Sequence, residues 1–410
     1  MSEWTTVYLG ENCRIRTGKK DVNEGSPKGQ YPFFTCSRDV SASDEYSFDT
    51  EAILIAGNGD VGNLHYYNGK FEAYQRTYVL DNFEINSHYV YQYLLGNILS
   101  ALEKEKVGTS IPYIKLGHLT NFPIFLPKST KLQNKIAGIL LVIDQAIEQT
   151  EALIEKYQQI KAGLMHDLFT RGIGEDGKLR PSREQAPALY QQTPIGWIPQ
   201  NWSIRPLVEL SEICSGVTLG SKITPDQTIN VPYLRVANVQ DGYIDLSDVK
   251  EVLVNKKTFQ SLLLQKGDVL MNEGGDFDKL GRGAVWQGEI EPCIHQNHVF
   301  RVRTDGQVLR HSFLAYWSQS TYGKKYFVLS SKQSTNLASI NSTQLKKFPI
   351  AFPSVYEQEE IEKRVNAINE KISSLERAQI KLGHQKAGLM HDLLTGKVQA
   401  PINTTEAEHV

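Results

Sequence analysis

The sequence contains little of what marks secreted, membrane or metal-binding proteins. Among 410 residues there are four cysteines, none in a C-x-x-C pair: Cys13, Cys36, Cys214 and Cys293. Such scattered thiols indicate a reducing, cytoplasmic location and argue against a zinc site. No run of about 18 apolar residues occurs, so we expect no transmembrane helix. The N-terminal residues lack the apolar core of a secretory signal.

The chain also lacks an excess of either charge. The 44 Lys and Arg against 46 Asp and Glu leave a net charge of −2. A protein that binds nucleic acid by itself usually carries a basic footprint, so this balance argues mildly against a stand-alone binder. A DNA-reading chain inside a larger assembly can still be neutral overall and basic on one face. The length suits two or three domains.

Motifs for catalysis and cofactor binding are missing or misleading. There is no Walker A motif, and the absence of any Pro-Pro dipeptide excludes the (D/N)PP(Y/F) loop of amino-methyltransferases. GNGDVG (57–62) has the spacing of a dinucleotide fingerprint, with Asp81 about 20 residues further on, but that fingerprint needs a helix after the glycines. The residues that follow, LHYYNGKFEAYQ, predict strand, Asn-Gly turn and strand. We therefore favour a glycine-rich hairpin over nucleotide binding.

Two further sets of residues suggest chemistry only weakly. Pro225-Asp226 followed by Asp248-Val249-Lys250 loosely matches a nuclease PD…(D/E)-x-K set, although such spacings are common by chance. His295 and His298 suit a metal pair, but a structural pair in a loop or strand is favoured. We therefore predict neither catalytic residues nor a metal site.

What the sequence does contain is a long internal duplication. KAGLMHDL occurs at 161–168 and again, 225 residues later, at 386–393; FPIFLP (122–127) and FPIAFP (348–353) precede the two copies. The beginnings of the halves match at Trp4, Leu9, Ile15 and Gly18 and at Trp202, Leu207, Ile213 and Gly216. Between these anchors the halves match only in pattern, as in AILIAGNGD and DVLMNEGGD. Each half is therefore a variable block followed by a similar helical block.

The helical blocks have the 4-3 spacing of apolar residues that indicates a coiled-coil seam. The apolar seam positions are Ile136, Leu140, Ile143, Ile147, Ile154, Tyr157, Leu164 and Leu168 in the first block and Ile361, Val365, Ile368, Ile372, Leu375, Leu382, Leu389 and Leu393 in the second. Lys161 and Lys386 share one seam position, where a polar residue usually sets the register. About 40 helical residues span roughly 60 Å, which favours two helices packed on each other over two helices lying on separate domains.

The variable blocks predict α+β domains with twisted sheets. EAILIAG, TYVLDNF, DVLM, AVWQG and HVFRVR have the composition of strands. Short helical patterns occupy 89–102 and 309–318.

This order of blocks resembles the specificity (S) subunit of type I restriction–modification systems. The resemblance covers essentially the whole chain and rests on FPIFLP, FPIAFP, KAGLMHDLFTRG, TPIGWIPQNW (193–202) and QNHVF (296–300). It implies two sheet-containing target recognition domains joined by two long helices in an antiparallel coiled coil, with a pseudo-two-fold internal repeat. We assign 1–127 and 201–353 to the recognition domains, 128–171 and 354–398 to the central and distal conserved helices, 172–200 to a linker and 399–410 to a tail.

The resemblance implies a non-catalytic DNA-binding subunit. Each recognition domain would read one half of a bipartite asymmetric site in double-stranded DNA. The helices would set the spacer and dock two methyltransferase subunits, which bind S-adenosylmethionine and methylate adenine N6. Restriction subunits would carry the ATP-dependent translocase and nuclease. This chain is thus expected to hold no cofactor, while its partners bind S-adenosylmethionine, ATP and Mg²⁺, and no membrane is involved.

Base readout needs Arg, Lys, Asn and Gln side chains, and phosphate anchoring needs Lys, Arg and backbone N–H groups. In or beside predicted loops of the first variable block, the candidates are Lys19, Lys20, Arg38, Asn58, Gln75 and Arg76. In the second block they are Lys222, Arg235, Asn238, Lys279, Arg282, Gln296, Asn297 and Lys332. A solvated surface charge or a turn amide is the competing interpretation for each of them.

Two other classes of protein stay open at this point. One is a coiled-coil scaffold whose two heads bind proteins, and a neighbouring methyltransferase gene would argue against it. The other is a fused restriction–methylation enzyme, which the missing Pro-Pro dipeptide disfavours. The near-zero net charge also predicts weak, salt-sensitive DNA binding by the chain alone.

Overall fold

A computed structural model describes residues 3–104, 113–220, 228–275, 280–281, 283–333 and 338–400. The chain forms two units, Met1–Ile154 with Leu375–Val410 and Glu155–Ser374. Two long helices, α4 and α9 below, are each continuous across both units.

The first unit is built around one sheet. Its elements are β1 (Trp4–Tyr8), α1 (Leu9–Asn12), β2 (Arg14–Thr17), β3 (Tyr31–Phe34), β4 (Ser41–Ser43), β5 (Phe48–Ala56), β6 (Leu64–Ala73), β7 (Thr77–Asp81), α2 (Ser87–Lys104), α3 (Leu116–Thr120), β8 (Pro123–Pro127) and the first part of α4 (Thr130–Thr170). The six-stranded sheet has the order β2-β7-β5-β6-β3-β4, and β1 pairs with β8. A buried cluster that includes Ile53, Leu80 and Leu94 packs this sheet against α2 and the long helices.

The second unit repeats this framework with smaller sheets. It contains β9 (Tyr190–Thr193), β10 (Gly196–Pro199), β11 (Ser203–Pro206), β12 (Ser211–Ser215), β13 (Thr228–Leu234), β14 (Lys250–Asn255), α5 (Lys256–Leu262), β15 (Val269–Asn272), β16 (Gly274–Gly275), β17 (Gly283–Val285), β18 (Ile294–His295), β19 (Val299–Thr304), α6 (His311–Gln319), α7 (Thr321–Ser330), β20 (Lys332–Gln333), β21 (Ala338–Ser339), α8 (Ser342–Lys346), β22 (Pro349–Phe352) and α9 (Val355–Leu394). The main sheets have the orders β12-β19-β15-β17 and β14-β13-β18. The predicted α+β class with two long helices is therefore confirmed.

The anchors of the sequence duplication make equivalent contacts in both units. Leu9 N donates to Phe122 O at 2.9 Å, and Leu207 N donates to Phe348 O at 2.8 Å. Gly18 lies so close to the carbonyl of Ala73 that an added Cβ would be 1.9 Å from that oxygen. Gly216 has the same relation, at 2.0 Å, to the carbonyl of His295. The duplicated residues are thus those that close each domain on itself.

Buried glutamines attach the sheet-containing domain of each unit to its long helix. Gln133 Nε2 donates to Pro127 O at 2.8 Å, while its Oε1 accepts from Asn86 N ahead of α2. Gln358 Nε2 donates to Pro353 O at 3.0 Å, and its Oε1 accepts from Arg310 N ahead of α6. Because a buried amide must keep both kinds of partner, each glutamine holds three chain segments together.

The long helices pack antiparallel within each unit. In the first unit Lys386 Nζ is 2.6 Å from Asp144 Oδ1, and Gln379 Nε2 donates to Glu151 Oε1 at 2.8 Å. In the second unit Lys371 lies over the Tyr157 ring, 5.8 Å from its centroid. Partner numbers fall along α9 as they rise along α4, which defines the antiparallel direction. Each predicted seam position is buried or half-buried.

The prediction of an Asn-Gly turn in YNGK (67–70) is wrong. Asn68 and Gly69 lie inside the continuous strand β6, opposite Glu51 and Thr50 of β5. The actual turn between these strands is GNGDVG, as the hairpin interpretation of that motif required. Pairing along the whole of β5 outweighs the local turn preference, and Gly69 accommodates it with a φ of +136°.

The segment assigned to a linker is ordered and packed on the second unit. It contains the β9–β10 hairpin, and Tyr190 and Ile198 are buried. The buried carboxylate of Glu357 accepts hydrogen bonds from Arg180 Nη1 and Nη2, at 2.6 and 2.8 Å, and from Trp202 Nε1 at 3.1 Å. This ion pair ties the segment to the start of α9. At the other end of the chain, Ala400 of the predicted tail is buried against the first unit.

Candidate nucleic-acid interface

Four loops meet at one edge of the sheet-containing domain in the first unit. They are residues 18–20 after β2, 35–38 after β3, 57–63 between β5 and β6, and 74–76 between β6 and β7. Backbone hydrogen bonds join them: Gln75 N to Lys20 O at 2.9 Å, Tyr74 N to Phe34 O at 3.0 Å, Gly57 N to Arg76 O at 2.9 Å and Asp60 N to Cys36 O at 3.2 Å. We call these residues the first loop edge.

The second unit has a matching set, which we call the second loop edge. It comprises residues 216–217 after β12, 235–238 after β13, 273 after β15 and 296–298 between β18 and β19. Asn297 N donates to Val217 O at 3.0 Å, Gln296 N to Leu234 O at 2.9 Å and Glu273 N to His298 O at 3.0 Å. These bonds repeat the first three of the first loop edge, although the residues differ. The same backbone scaffold therefore presents different side chains in the two units.

All six candidates of the first variable block lie on the first loop edge. Lys19, Arg38, Gln75 and Arg76 are exposed, and Asn58 is half-buried. Lys20 forms an ion pair with Glu45 at 2.8 Å, so its charge is partly neutralised within the domain. The structure thus brings together residues that are widely separated in sequence.

Two arginines outside the candidate set are committed to the fold. Arg14 and Arg16 both contact the buried carboxylate of Asp81, at 2.9 and 2.5 Å. Burial alone would raise the pKa of Asp81, but the hydrogen bonds and charges of the two arginines outweigh it and lower that pKa below its ordinary value. These guanidinium groups therefore stabilise the β2–β7 pair.

The second loop edge contains the described candidates that follow β13 and β18. Gln296 and Asn297 are half-buried, and Arg235 Nη2 lies 2.8 Å from Asp248 Oδ2. Asn238 is buried, and its Oδ1 and Nδ2 bond to Arg235 N and to the carbonyls of Asp245 and Asp248. This side chain shapes its loop and is turned away from the surface.

Several predicted residues lie where the structure makes no statement. Lys222, Lys279 and Arg282 are outside the described residues, as is Asp226 of the nuclease-like set. Lys332 begins β20, and its side chain is outside the described part. The roles of all these candidates in binding DNA stay predictions.

The two histidines, His295 and His298, lie in different surroundings. His295 is fully buried with Nδ1 2.7 Å from Val299 O, and burial lowers its pKa to about 4. His298 is more than half exposed and its Nδ1 lies 2.5 Å from Glu273 Oε2. Among the described residues, no group of three or more His, Cys, Asp or Glu side chains is placed to hold a metal. These contacts support a structural role for His295.

One known protein family matches this chain twice, once in each half of the duplication. A family model for the type I restriction modification DNA specificity domain matches residues 1–159 and 199–382. The chain belongs to the specificity subunits of type I restriction–modification systems. Subunits of this family are non-catalytic components that recognise DNA and work with methyltransferase and restriction subunits. Within the described residues, no helix is both long enough and apolar enough to cross a membrane.

Individual relatives cover nearly the full length of this specificity subunit. It is 28% identical over 377 residues to the type I restriction enzyme EcoDI specificity subunit of Escherichia coli, covering 89% of this chain and 81% of the relative. It is 26% identical over 426 residues to the MjaVIII specificity subunit of Methanocaldococcus jannaschii, covering 97% and 93%. The fold is similar to the crystal structure of the S subunit of a type I system from M. genitalium, with a TM-score of 0.62, 18% identity and coverage of 95% and 96%.

Proposed function

We propose that each unit of this specificity subunit reads one half of a bipartite, asymmetric DNA site through its loop edge. The observation that carries this proposal is the repetition of one hydrogen-bonded loop framework with different side chains. A shared framework places both edges alike relative to their own domain, while unlike side chains suit unlike base sequences. Two copies of one side-chain set would instead favour a symmetric site.

The paired long helices would set the number of base pairs between the half-sites. α4 has 41 residues and α9 has 40, and neither is interrupted. Helices of this length rise along their axis by a constant amount per residue and keep a fixed register when polar seam contacts pair. The Lys386–Asp144 ion pair supports such a register.

Two methyltransferase subunits would dock on the duplicated helical surface. In each copy of KAGLMHDL the Ala, Gly and His residues are exposed, at 162, 163 and 166 and at 387, 388 and 391. A Cβ at Gly163 or Gly388 would meet nothing within 4 Å, so packing within this chain does not require glycine there. Identical exposed residues in both copies support one kind of partner bound twice. S-adenosylmethionine, ATP and Mg²⁺ would be bound by partner subunits.

The test is to co-express the chain with its neighbouring methyltransferase in a methylation-free host and to sequence the genome for N6-methyladenine. We expect one split motif, with two short half-sites around a fixed gap, and no methylation when either chain is omitted. An assembled complex that methylates nothing, or a continuous motif, contradicts the proposal. The isolated chain should bind DNA weakly and lose that binding with added salt; tight, site-specific binding by the chain alone contradicts this part.

A further inference from the structure

The turn between β6 and β7 corresponds residue by residue to the turn between β18 and β19. Thr77 N donates to Tyr74 O at 2.8 Å, and Val299 N donates to Gln296 O at 2.9 Å. When the turns are aligned on these bonds, Gln75 corresponds to Asn297 and Arg76 corresponds to His298. Gln75 and Asn297 both carry a carboxamide, whereas Arg76 carries a guanidinium and His298 an imidazole.

Both turns are held from behind by the same kind of contact. The carbonyl of Arg76 accepts Gly57 N at 2.9 Å and lies 3.4 Å from Cys36 Sγ. The carbonyl of His298 accepts Glu273 N at 3.0 Å. Because these bonds fix the backbone, little conformational freedom remains to be lost in the turn when a ligand binds.

The side chains at this position are accessible from the solvent. Arg76 is exposed, and the His298 side chain is 56% exposed. The bond from His298 Nδ1 to Glu273 Oε2 orients the imidazole and makes Nε2 the ring nitrogen directed away from that carboxylate. Gln75 lies beside Arg76 with its Nε2 3.3 Å from Asp21 Oδ2.

We propose that Arg76 and His298 are equivalent specificity-determining residues, each contacting a base edge in the half-site of its own unit. This inference rests on the proposed DNA-reading function of the two units. A guanidinium can donate two hydrogen bonds to guanine O6 and N7, and the neighbouring carboxamides of Gln75 and Asn297 suit adenine N6 and N7. An imidazole offers a single, oriented nitrogen, so the two units read different bases at corresponding positions.

The experiment uses the full chain in complex with its methyltransferase. Arg76→Ala, His298→Ala and the control Lys128→Ala, an exposed lysine just before α4, are each expressed in the methylation-free host. We expect Arg76→Ala to lower methylation of the wild-type motif about tenfold to a hundredfold and to relax one base position in one half-site. His298→Ala should relax the other half-site, and Lys128→Ala should change neither.

Four results distinguish the possibilities. Relaxation in separate half-sites supports the inference. An unchanged motif and unchanged methylation in both variants, with the split wild-type motif present, overturn it. A uniform loss over all sites without relaxed bases also overturns it, because that pattern belongs to phosphate contacts. An assembled wild-type complex without a split motif contradicts the proposed function itself. Unchanged thermal unfolding of each variant confirms that the fold is intact.

Discussion

Asp144 of α4 and Lys386 of α9 form an ion pair of 2.6 Å inside the first unit, and each side chain is about a quarter exposed. Asp144 also accepts a hydrogen bond from the buried Gln92 of α2. The positions 225 residues away are occupied by Asn369 and Lys161, and Asn369 Nδ2 donates to Tyr316 of α6 at 3.4 Å. In each unit, polar side chains thus join the recognition domain to a long helix, to α4 through Gln92 and Asp144 in the first unit and to α9 through Tyr316 and Asn369 in the second.

We expect Lys386→Met to lower the free energy of unfolding by about 1–2 kcal/mol, because it leaves the Asp144 carboxylate partly buried without its cation. Adding Asp144→Asn should restore most of this loss, since asparagine keeps an acceptor for Gln92 without a charge. Urea denaturation measures both. Lys381→Met, at an exposed position of α9, is the control and should change little. Equal losses in the single variant and the control contradict an energetic role for the pair.

The two closely packed glycines should respond to substitution in the opposite way from the two exposed ones. Gly18→Ala and Gly216→Ala place a Cβ about 2 Å from a backbone carbonyl, so either should destabilise the fold by roughly 1–3 kcal/mol or more. Gly163→Ala and Gly388→Ala meet open space and should stabilise the free chain by about 0.5–1 kcal/mol each. Thermal unfolding of the four variants tests this, and a stable Gly18→Ala or Gly216→Ala protein would show that the backbone yields.

The buried His295 should make the second unit sensitive to acid. Its pKa is lowered by burial from 6.5 to about 4, so the unfolded chain takes up the proton first as the pH falls. The contribution of neutral His295 to the free energy of unfolding is therefore fully present above pH 6.5. It is lost between pH 6.5 and about 4, by roughly 3 kcal/mol. Denaturant unfolding of the wild type and of His295→Gln across this range measures the slope. The variant should have the shallower slope, and equal slopes would assign the acid sensitivity to other groups.

Lengthening both long helices should lengthen the spacer of the DNA site. One heptad inserted into α4 near Ile154 and one into α9 near Gln379 adds about 10 Å to each helix, the length of about three base pairs. We expect both half-sites to be kept while the gap grows by that amount, as measured by sequencing N6-methyladenine in cells that carry the complex. The same heptad placed after Ala400 is the control and should leave the gap unchanged. An unchanged gap in the helix variant would exclude the helices as the spacer.

The features that sequence reasoning predicted well are those repeated at a constant interval. Seven of the eight apolar seam positions of the first block recur 225 residues later, and Gln133 and Gln358 stand at equivalent points ahead of them. A repeat of period 3.5 over some 40 residues is a strong signal, because few other structures would place apolar residues in that way. The predicted strands EAILIAG and HVFRVR were also confirmed, as parts of β5 and β19, since both are short and contain the β-branched or aromatic residues typical of a sheet.

The features that sequence reasoning missed depend on contacts between residues that are distant in sequence or on the burial that those contacts produce. The Asn68-Gly69 turn was predicted from two residues, but the partner strand β5 continues past them. Asn238 has the residue type of a base reader, yet its amide is used inside its own loop. His298 was grouped with His295 because they are neighbours in sequence, whereas the sheet buries one and exposes the other.

The sequence by itself determined the order of two variable blocks and two matched helices, because heptad spacing and the anchor residues act locally and repeat. Only the tertiary structure decided that the residues after β2, β3 and β5 and before β7 form one edge, and that an equivalent edge exists in the other unit. Those loops are separated by tens of residues, and the hydrogen bonds that join them are between backbone atoms. Backbone bonds of this kind leave no trace in residue type, so the correspondence of Arg76 with His298 emerges only in three dimensions.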